Sequence, residues 1–505
     1  MNKNKQLFIN LAASFCALIV NIGINFILSP FIVENVGSEA YGFVQLSNNL
    51  ISYFSIITIA LNSMSGRFIS VSFFSKDVEA AKEYYSSSFY ANLILSMVLL
   101  PVLIAGVAYL DRFINISYAL VDDVKLLMLF MLINFIITML CTNLSVSYYV
   151  KNCLFISSLI NIIGYLLRVF GLLGLYGFLA PKIAYVGVAT LGVTLFTQGC
   201  NIYFKKKLVP ELYINKKYYH LKKVKELISA GIWNSITRIG TLLQEGLDLI
   251  IANLMISAED MGVLALAKTV PTAINALLGT MISSFMPNLT ELYANNRTEQ
   301  LKHDIKQSMK IIGMIINIPI ALLIGFGDVF YTLWVPSQDA DFLQILSIIT
   351  IFPWAVMGQA TIIHNVFTIV NKIKVNSILV CITGLLNVGI VYFLLKNTSL
   401  GLIAVAGVST VLSIMRNLLY TVPFGAIYIR CPWYTFYSEI GKSVMAVCIT
   451  SGIAVWLKKC MGEYTWFNLL FYGIIAGGIG LIFNYYVVLN KEDRRYIGNR
   501  IRRKK

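Results

Sequence analysis

Apolar runs long enough to cross a bilayer follow one another along almost the whole chain, separated by short polar stretches. A spanning helix needs about 20 mostly apolar residues, and the chain holds about fourteen such runs. We number them as spans 1–14 and place them at 7–33, 40–64, 85–110, 122–149, 153–178, 183–204, 227–256, 261–290, 309–335, 342–370, 376–396, 401–429, 440–459 and 466–489. The pattern predicts an all-α polytopic membrane protein with very little chain outside the membrane.

The first run has the basic start of a signal peptide, with Lys3 and Lys5 ahead of apolar residues. It has no cleavage site of small residues, however, and its apolar character continues to about Val33. We therefore expect it to remain in the protein as span 1.

Composition supports a membrane protein and removes other classes. Hydrophobic residues make up 58% of the chain and charged residues 13%, about half the charged share of a soluble protein. The net charge of +16 would suggest nucleic acid in a soluble protein, but here the charges lie in short loops, so no nucleic-acid partner is expected. The eight cysteines include no CxxC pair, and we expect neither a metal nor a cofactor.

The basic residues predict the orientation of the chain. If the N-terminus is cytoplasmic and cations at the ends of spans are counted with the adjacent loop, thirty of the 40 Lys and Arg residues fall in inner segments, six in outer segments and four inside spans. Because basic loops stay on the cytoplasmic side, both termini are expected there. The largest polar pieces are then a linker at 205–226 and a tail at 491–505, both basic and expected to lie beside anionic lipid.

An offset of 220 residues aligns the chain with itself. Gly37–Leu50 (GSEAYGFVQLSNNL) then matches Ser257–Val270 (SAEDMGVLALAKTV), with Gly42 on Gly262. The offset holds from span 2 to span 6, so spans 1–6 and 7–12 are predicted to be two parallel copies of one unit. The predicted parts are an N-lobe at 1–204, a basic cytoplasmic linker at 205–226, a C-lobe at 227–430, two added helices at 431–490 and a basic cytoplasmic tail at 491–505.

Polar residues form a stripe along span 7. Asn234, Arg238, Thr241, Glu245 and Asp248 are separated by four, three, four and three residues, which places them on one face of a helix. Spans 1, 2 and 8 carry similar stripes. Such a face meets another helix or a water-filled cavity rather than lipid, so hydrogen bonding between helices is the alternative to a cavity. The expected cavity-lining polar residues are Asn21, Asn25, Asn48, Ser52, Asn234, Thr241, Thr272 and Asn275.

Six ionisable residues lie well inside spans. Four are basic, and a cation at the bilayer centre costs about 2.5–3.5 kcal/mol on insertion scales. The two acids neutralise two of these charges, so a net positive cavity is expected, and a guanidinium matches phosphate oxygens well. The alternative is that the cations pair, reach the interface or cap helices. The expected substrate-binding residues are Arg168, Arg238, Lys268 and Arg416.

The two acids, Glu245 and Asp248, have two interpretations. They are counter-ions of Arg238 and Lys268, or they bind a proton or a sodium ion and couple its gradient to transport. The sequence leaves both interpretations open.

Catalytic motifs are missing from the sequence. It contains no GxxxxGK[ST], HExxH or GxSxG motif and no long outer loop for a catalytic domain. A secondary transporter is therefore favoured over an enzyme. In span 14, Gly473 and Gly477 have the spacing of close helix packing, and a side groove for a lipid tail beside spans 13 and 14 is the alternative.

Two stretches carry a resemblance to a known family: ILSPFIVENVGSEAYGFVQL at Ile27–Leu46 and LDLIIANLMISAEDMGVLALAKTV at Leu247–Val270. The chain resembles the polysaccharide-transporter branch, the Wzx-type flippases, of the multidrug/oligosaccharidyl-lipid/polysaccharide (MOP) superfamily. The resemblance implies a V-shaped, two-lobed transporter in the bacterial cytoplasmic membrane. It further implies transfer of an undecaprenyl-diphosphate-linked oligosaccharide to the outer leaflet for O-antigen or capsule synthesis, by alternating access driven by an ion gradient or the membrane potential.

The resemblance also implies partners. These are the lipid-linked oligosaccharide, membrane lipid, a proton or sodium counter-ion, and a polysaccharide polymerase or chain-length protein. Three alternatives remain open: a lipid II flippase, a multidrug cation exporter of the same superfamily, and an oligosaccharide polymerase or ligase. The cation exporter would favour an acidic cavity, and the enzyme would need a large outer loop.

Overall fold

Long α-helices make up most of the protein in a computed structural model that describes residues 3–370, 372–489 and 494. Within these ranges there is no β-strand. The α-helices in chain order are α1 (Lys3–Phe74), α2 (Val78–Ala108), α3 (Val121–Leu140), α4 (Val146–Val150), α5 (Leu154–Phe178), α6 (Ala184–Leu208), α7 (Leu221–Thr241), α8 (Asp248–Met255), α9 (Ala258–Ala294), α10 (Thr298–Trp334), α11 (Ala340–Met357), α12 (His364–Ile369), α13 (Ile373–Asn397), α14 (Leu402–Arg416), α15 (Val422–Tyr428), α16 (Tyr437–Lys458) and α17 (Trp466–Val487).

Eleven helical segments in the described part of the chain are long and apolar enough to cross a membrane. This confirms the predicted all-helical membrane fold, whereas the number of fourteen spans stays a prediction. Two features explain the difference. α1 holds spans 1 and 2 in one segment, and neither α6 nor α7 belongs to the apolar set.

Spans 1 and 2 meet at Gly37, without a separate loop. Gly37 has φ 89° and ψ 166°, which are not helical angles. Positive φ is costly for residues with a side chain and nearly free for glycine. The glycine therefore allows a sharp break between two helices that are otherwise continuous.

The chain divides into two compact units. Unit 1 comprises the residues up to Leu242 together with Leu249–Ala265, and unit 2 comprises Leu243–Asp248 and the residues from Leu266 onward. The predicted part boundaries at 204, 226, 430 and 490 stay predictions. The predicted tail at 491–505 lies outside the described residues, apart from Arg494.

In unit 1, α1 packs against α2, α5 and α7. The contact with α7 is close because of Gly231, where an added Cβ would lie 2.1 Å from the carbonyl oxygen of Ala60. The Ser235 hydroxyl, one turn later, donates to the carbonyl of Ile56 at 3.3 Å. Small residues on α7 therefore bring its backbone against α1.

The connection between α2 and α3 is held at two points of unit 1. Asn115 and Asn253 form three hydrogen bonds of 2.9 Å, two from amide side chains to carbonyl oxygens and one from a backbone N–H to a side-chain oxygen. The N–H and hydroxyl of Ser117 both donate to the carboxylate of Glu39, at 3.0 and 2.6 Å. These bonds satisfy the polar groups of a loop that lacks regular structure.

In unit 2, the added helices α16 and α17 pack against α10. A buried polar network joins the three, since Ser443 donates to Asn317 at 3.0 Å and Asn317 donates to Asn484 at 3.4 Å. Between α16 and α17 the close glycine contact is at Gly480, where a Cβ would lie 2.6 Å from a Thr450 methyl group, whereas Gly473 has open space. Close packing of spans 13 and 14 therefore depends on Gly480.

Candidate functional site

The polar stripe of span 7 is interrupted by a π-helical turn, Leu242–Gly246, between α7 and α8. Such a turn disturbs the regular pairing of backbone carbonyls and is frequent at functional sites. The fully buried Asn387 of α13 donates to the carbonyls of Leu243 and Gln244, at 3.3 and 3.0 Å. A side chain of α13 thus supplies partners for the irregular backbone.

Asp248 and Lys268 form an ion pair directly after this turn. The Lys268 ammonium donates to Oδ2 of Asp248 and also approaches the carbonyl of Glu245 at 3.4 Å. Asp248 is only 1% exposed, so its charge depends on this partner. The counter-ion contact considered for Asp248 is therefore present, and ion coupling by the same residue stays a prediction.

Arg416 ends α14 and is followed by a second π-helical turn, Asn417–Thr421. Its Nη1 donates to Oε1 of Gln244 at 2.5 Å and to the hydroxyl of Thr383 at 3.4 Å. Both acceptors are neutral, and the buried Nε has no hydrogen-bond partner within the described residues. The charge of Arg416 is therefore held by neutral groups.

Glu245, the other acid of span 7, lies in the π-turn and attracts Arg416. It lies within range of electrostatic attraction, but its exposed side chain forms no ion pair in the part of the chain that the structure describes. The two acids of span 7 thus differ, because Asp248 is buried in an ion pair and Glu245 is free to interact with solvent or a ligand.

The other two cations lie in unit 1. The Arg238 side chain is exposed on α7, and no acid among the described residues pairs with it. Arg168 is partly buried on α5, near Tyr41 and Tyr165. Its Nε has no hydrogen-bond partner among the described groups. The predicted cations are therefore divided, with Lys268 and Arg416 beside one π-turn and Arg238 and Arg168 elsewhere.

The predicted cavity-lining residues show different hydrogen bonds. Only Asn234 bonds to another helix, donating to the Ser63 hydroxyl at 3.2 Å. Thr272 and Asn275 are exposed on α9. The remaining five bond within their own helices: Asn21, Asn25, Asn48, Ser52 and Thr241. Hydrogen bonding between helices thus accounts for one of the eight, and a cavity role for all of them stays a prediction.

Sequence reasoning missed three polar residues of this cluster. Gln244 and Asn387 are buried, and Thr383 is the second acceptor of Arg416. Gln244 falls outside the spacing of the stripe because a regular helix would place it on another face. The isolated Asn387 within the apolar span 11 was the available signal, since a buried polar residue in a membrane helix needs a partner.

A family model described as "Polysaccharide biosynthesis protein" matches residues 8–293, more than half of the chain. The chain belongs to this family. It is also 29% identical over 498 residues to the "Uncharacterized membrane protein EpsK" of Bacillus subtilis (strain 168), and the match covers 98% of both chains. The predicted polysaccharide-transporter branch is thereby confirmed, and the chain is a multi-pass membrane protein.

Solved structures confirm the MOP-type fold. An inward-facing MATE family multidrug transporter matches with a TM-score of 0.67 and 15% identity over 84% of this chain and 98% of its own. The lipid II flippase MurJ, in an inward closed conformation, matches with a TM-score of 0.65 and 16% identity over 95% of this chain and 99% of its own. A MOP superfamily transporter from Pyrococcus furiosus matches with a TM-score of 0.64 and 15% identity over 83% of this chain and 95% of its own. These neighbours are transporters and a flippase, not enzymes, which agrees with the predicted class.

Proposed function

We propose that the protein is a flippase that moves an undecaprenyl-diphosphate-linked oligosaccharide from the inner to the outer leaflet of the bacterial cytoplasmic membrane. Both termini are cytoplasmic in this proposal, as the distribution of basic residues predicts. Membership of a polysaccharide-biosynthesis family and a fold shared with a lipid flippase support it.

One observation carries the proposal: positive charge inside the spans exceeds what the protein neutralises. Of the four cations predicted to lie well inside spans, Lys268 is the one that pairs with a carboxylate among the described residues. Arg416 is held by the neutral Gln244 and Thr383, and Arg238 is exposed. Because an unneutralised cation at bilayer depth is costly, an anionic ligand is the natural partner, and guanidinium groups bind phosphate oxygens in pairs.

Energy for transport is proposed to come from a proton or sodium gradient acting at Glu245 or Asp248, or from the membrane potential. Glu245 is the stronger candidate of the two acids, because its carboxylate is exposed and forms no ion pair within the described residues. A polysaccharide polymerase or chain-length protein would act on the product at the outer face.

The test is flipping of a fluorescent lipid-diphosphate-oligosaccharide by the purified protein in vesicles, followed by a quencher outside the membrane. Arg238→Gln is expected to reduce the flipping rate strongly, and Arg238→Lys to retain part of it. Arg67→Gln is the matched control, since Arg67 is also exposed but lies outside the predicted spans. Equal rates for wild type, Arg238→Gln and Arg67→Gln would contradict the proposal.

A lipid II flippase is the second candidate function, because MurJ matches 95% of the chain whereas the MATE transporter matches 84%. The same vesicles distinguish the candidates when lipid II replaces the oligosaccharide lipid. Export of a lipophilic cation without any lipid flipping would favour a multidrug exporter instead.

A further inference from the structure

The linker between α6 and α7 is folded onto the beginning of α2. Val209 and Leu212 are buried in an apolar cluster that includes Tyr85 of α2. The Ser87 hydroxyl of α2 accepts from the N–H of His220 at 3.0 Å. These contacts give the linker a defined path over unit 1.

Two tyrosines of the linker enclose a lysine of α2. The Lys82 ammonium lies 4.9 Å from the ring centre of Tyr213 and 5.5 Å from that of Tyr218. The two hydroxyls are 3.4 Å apart. Cation–π attraction between Lys82 and these two rings therefore helps to hold the linker on α2, in addition to the buried apolar contacts.

Two acids beside the linker, Glu83 and Glu226, have polar partners, whereas Glu79 and Glu211 are exposed. Glu83 lies 3.5 Å from His220 and 3.7 Å from Lys223. Glu226 accepts from the hydroxyl of Tyr84 at 2.7 Å and lies 3.8 Å from Lys223. One lysine, Lys223, thus lies beside both carboxylates and offsets part of their charge, and no other lysine forms an ion pair with either acid in the described part of the chain.

Six lysines of this region are exposed and form no ion pair with any residue that the structure describes. Two end α6, two lie in a 3₁₀ turn of the linker, and two lie near the start of α7. We call these residues the linker lysines: Lys206, Lys207, Lys216, Lys217, Lys222 and Lys225.

We propose that the docked linker binds the headgroups of anionic phospholipids in the cytoplasmic leaflet. The linker lysines follow the end of predicted span 6 and precede predicted span 7, where headgroups would lie, and an anionic surface attracts each nearby lysine. Because the linker is already folded onto α2, less chain entropy is lost on binding than for a disordered basic segment. This inference depends on the predicted cytoplasmic side of the linker and is independent of the transported substrate.

The test uses the full-length protein in nanodiscs that contain photoactivatable phosphatidylglycerol or photoactivatable phosphatidylcholine. Peptide mapping by mass spectrometry then gives the labelling of residues 205–226. We expect several-fold more labelling by phosphatidylglycerol than by phosphatidylcholine, with the difference falling as salt is added. Replacement of all six linker lysines by Gln is expected to remove the difference.

Two further variants separate charge from docking. A control replaces six basic residues of the tail by Gln (Arg494, Arg495, Arg500, Arg502, Arg503 and Lys504), changes the net charge equally and should leave linker labelling unchanged. Tyr213→Ser with Tyr218→Ser keeps every linker lysine but removes the cation–π contacts with Lys82 that hold the linker on α2. This double variant should reduce the labelling several-fold. If the sixfold variant fails to fold, Lys216→Gln with Lys217→Gln should still halve the difference.

Equal labelling by the two lipids, or labelling that survives loss of the linker lysines, would overturn the proposal. Labelling by a lipid diphosphate in place of phosphatidylglycerol would also overturn it, since the linker would then collect substrate. Full labelling of the Tyr213→Ser, Tyr218→Ser variant would show that docking has no part in binding and would refute the folded-surface explanation.

Discussion

Gly42 and Gly262 touch each other in unit 1, and the 220-residue offset makes these two glycines equivalent. A Cβ added to Gly42 would lie 2.9 Å from the Cα of Gly262. A Cβ on Gly262 would lie 2.2 Å from the carbonyl oxygen of Ser38. The contact joins two residues that the predicted repeat makes equivalent, and the repeat itself stays a prediction.

Gly262→Ala is expected to destabilise the protein by about 1–3 kcal/mol, because the added methyl group meets backbone atoms that have little room to move. The measurement is thermal unfolding of purified protein in detergent. Gly279→Ala is the matched control on the same helix, since its Cβ would meet open space. A Gly262→Ala variant as stable as Gly279→Ala would show that the backbone relaxes around the contact.

Asp248→Asn should leave the Lys268 ammonium without its carboxylate partner. Breaking a buried ion pair costs about 3–5 kcal/mol, and the 20% exposure of the Lys268 side chain favours the lower end of that range. Addition of Lys268→Met should recover most of the lost stability. Thermal unfolding of the single and double variants measures this coupling, and additive effects would argue against the pair.

The ion pair between Asp111, in the connection from α2 to α3, and Lys125, in the first turns of α3, should make stability depend on pH. Nζ of Lys125 lies 2.6 Å from Oδ1 of Asp111, and this hydrogen bond lowers the pKa of the Asp111 carboxyl from its ordinary value of 3.8. A lowered folded-state pKa means that the pair stabilises the protein at neutral pH. Its contribution is lost as the pH falls through the folded pKa.

Comparison of wild type with Asp111→Asn isolates this contribution from other titrating acids. The wild type should be slightly more stable near neutral pH, and the difference should shrink as the pH falls below 3.8 and through the lowered folded-state pKa, where both chains come to carry a neutral group at this position. A difference that is constant over this range would mean that the carboxylate charge is not involved.

The fold was predictable because lipid leaves few solutions for the backbone. Every polar group of a spanning segment must be paired internally, so long apolar runs become helices. The two π-turns, Leu242–Gly246 and Asn417–Thr421, were not predictable in this way. They depend on partners from distant segments, as Asn387 shows by donating to Leu243 and Gln244.

The charged residues of the candidate site were predictable from the sequence, but their hydrogen-bond and ion-pair partners were only partly predictable. Helical spacing placed Asp248 and Glu245 on one face, yet it could not distinguish the buried acid from the exposed one. The Asp248–Lys268 contact joins residues 20 apart in two different helices, which requires the tertiary packing. The π-turn moves Gln244 out of the regular helical phase, and the main partner of Arg416 was therefore missed.

Glu245→Gln should separate gradient coupling from folding. The exposed carboxylate forms no ion pair with the described residues, so its neutralisation should change stability by less than about 0.5 kcal/mol. If Glu245 binds the coupling ion, flipping should no longer respond to an imposed proton or sodium gradient. The control is Glu211→Gln on the exposed linker. A full response in both variants would leave Glu245 as a counter-ion of Arg416.

Substitutions of Gln244 test whether the unneutralised positive charge of Arg416 is needed for flipping. Its Oε1 accepts from Nη1 of Arg416 at 2.5 Å, so Gln244→Glu keeps an acceptor at this position and adds a negative charge. A charge-assisted bond is about twice as strong as a neutral one, and stability should be retained or increased. Flipping of an anionic lipid should nevertheless fall several-fold, because the carboxylate neutralises Arg416.

Gln244→Leu distinguishes the charge of Arg416 from the hydrogen bond that positions its side chain. Gln244→Leu leaves Nη1 of Arg416 without its closest acceptor, and loss of one partner of a buried polar group costs about 1–3 kcal/mol. The Gln244→Leu protein that remains folded should still flip lipid, because the positive charge of Arg416 is unchanged. Flipping rates per folded protein, measured beside thermal unfolding, should therefore rank Gln244→Leu above Gln244→Glu although their stabilities rank the other way. The reverse order of rates would mean that the position of Arg416, rather than its charge, limits transport.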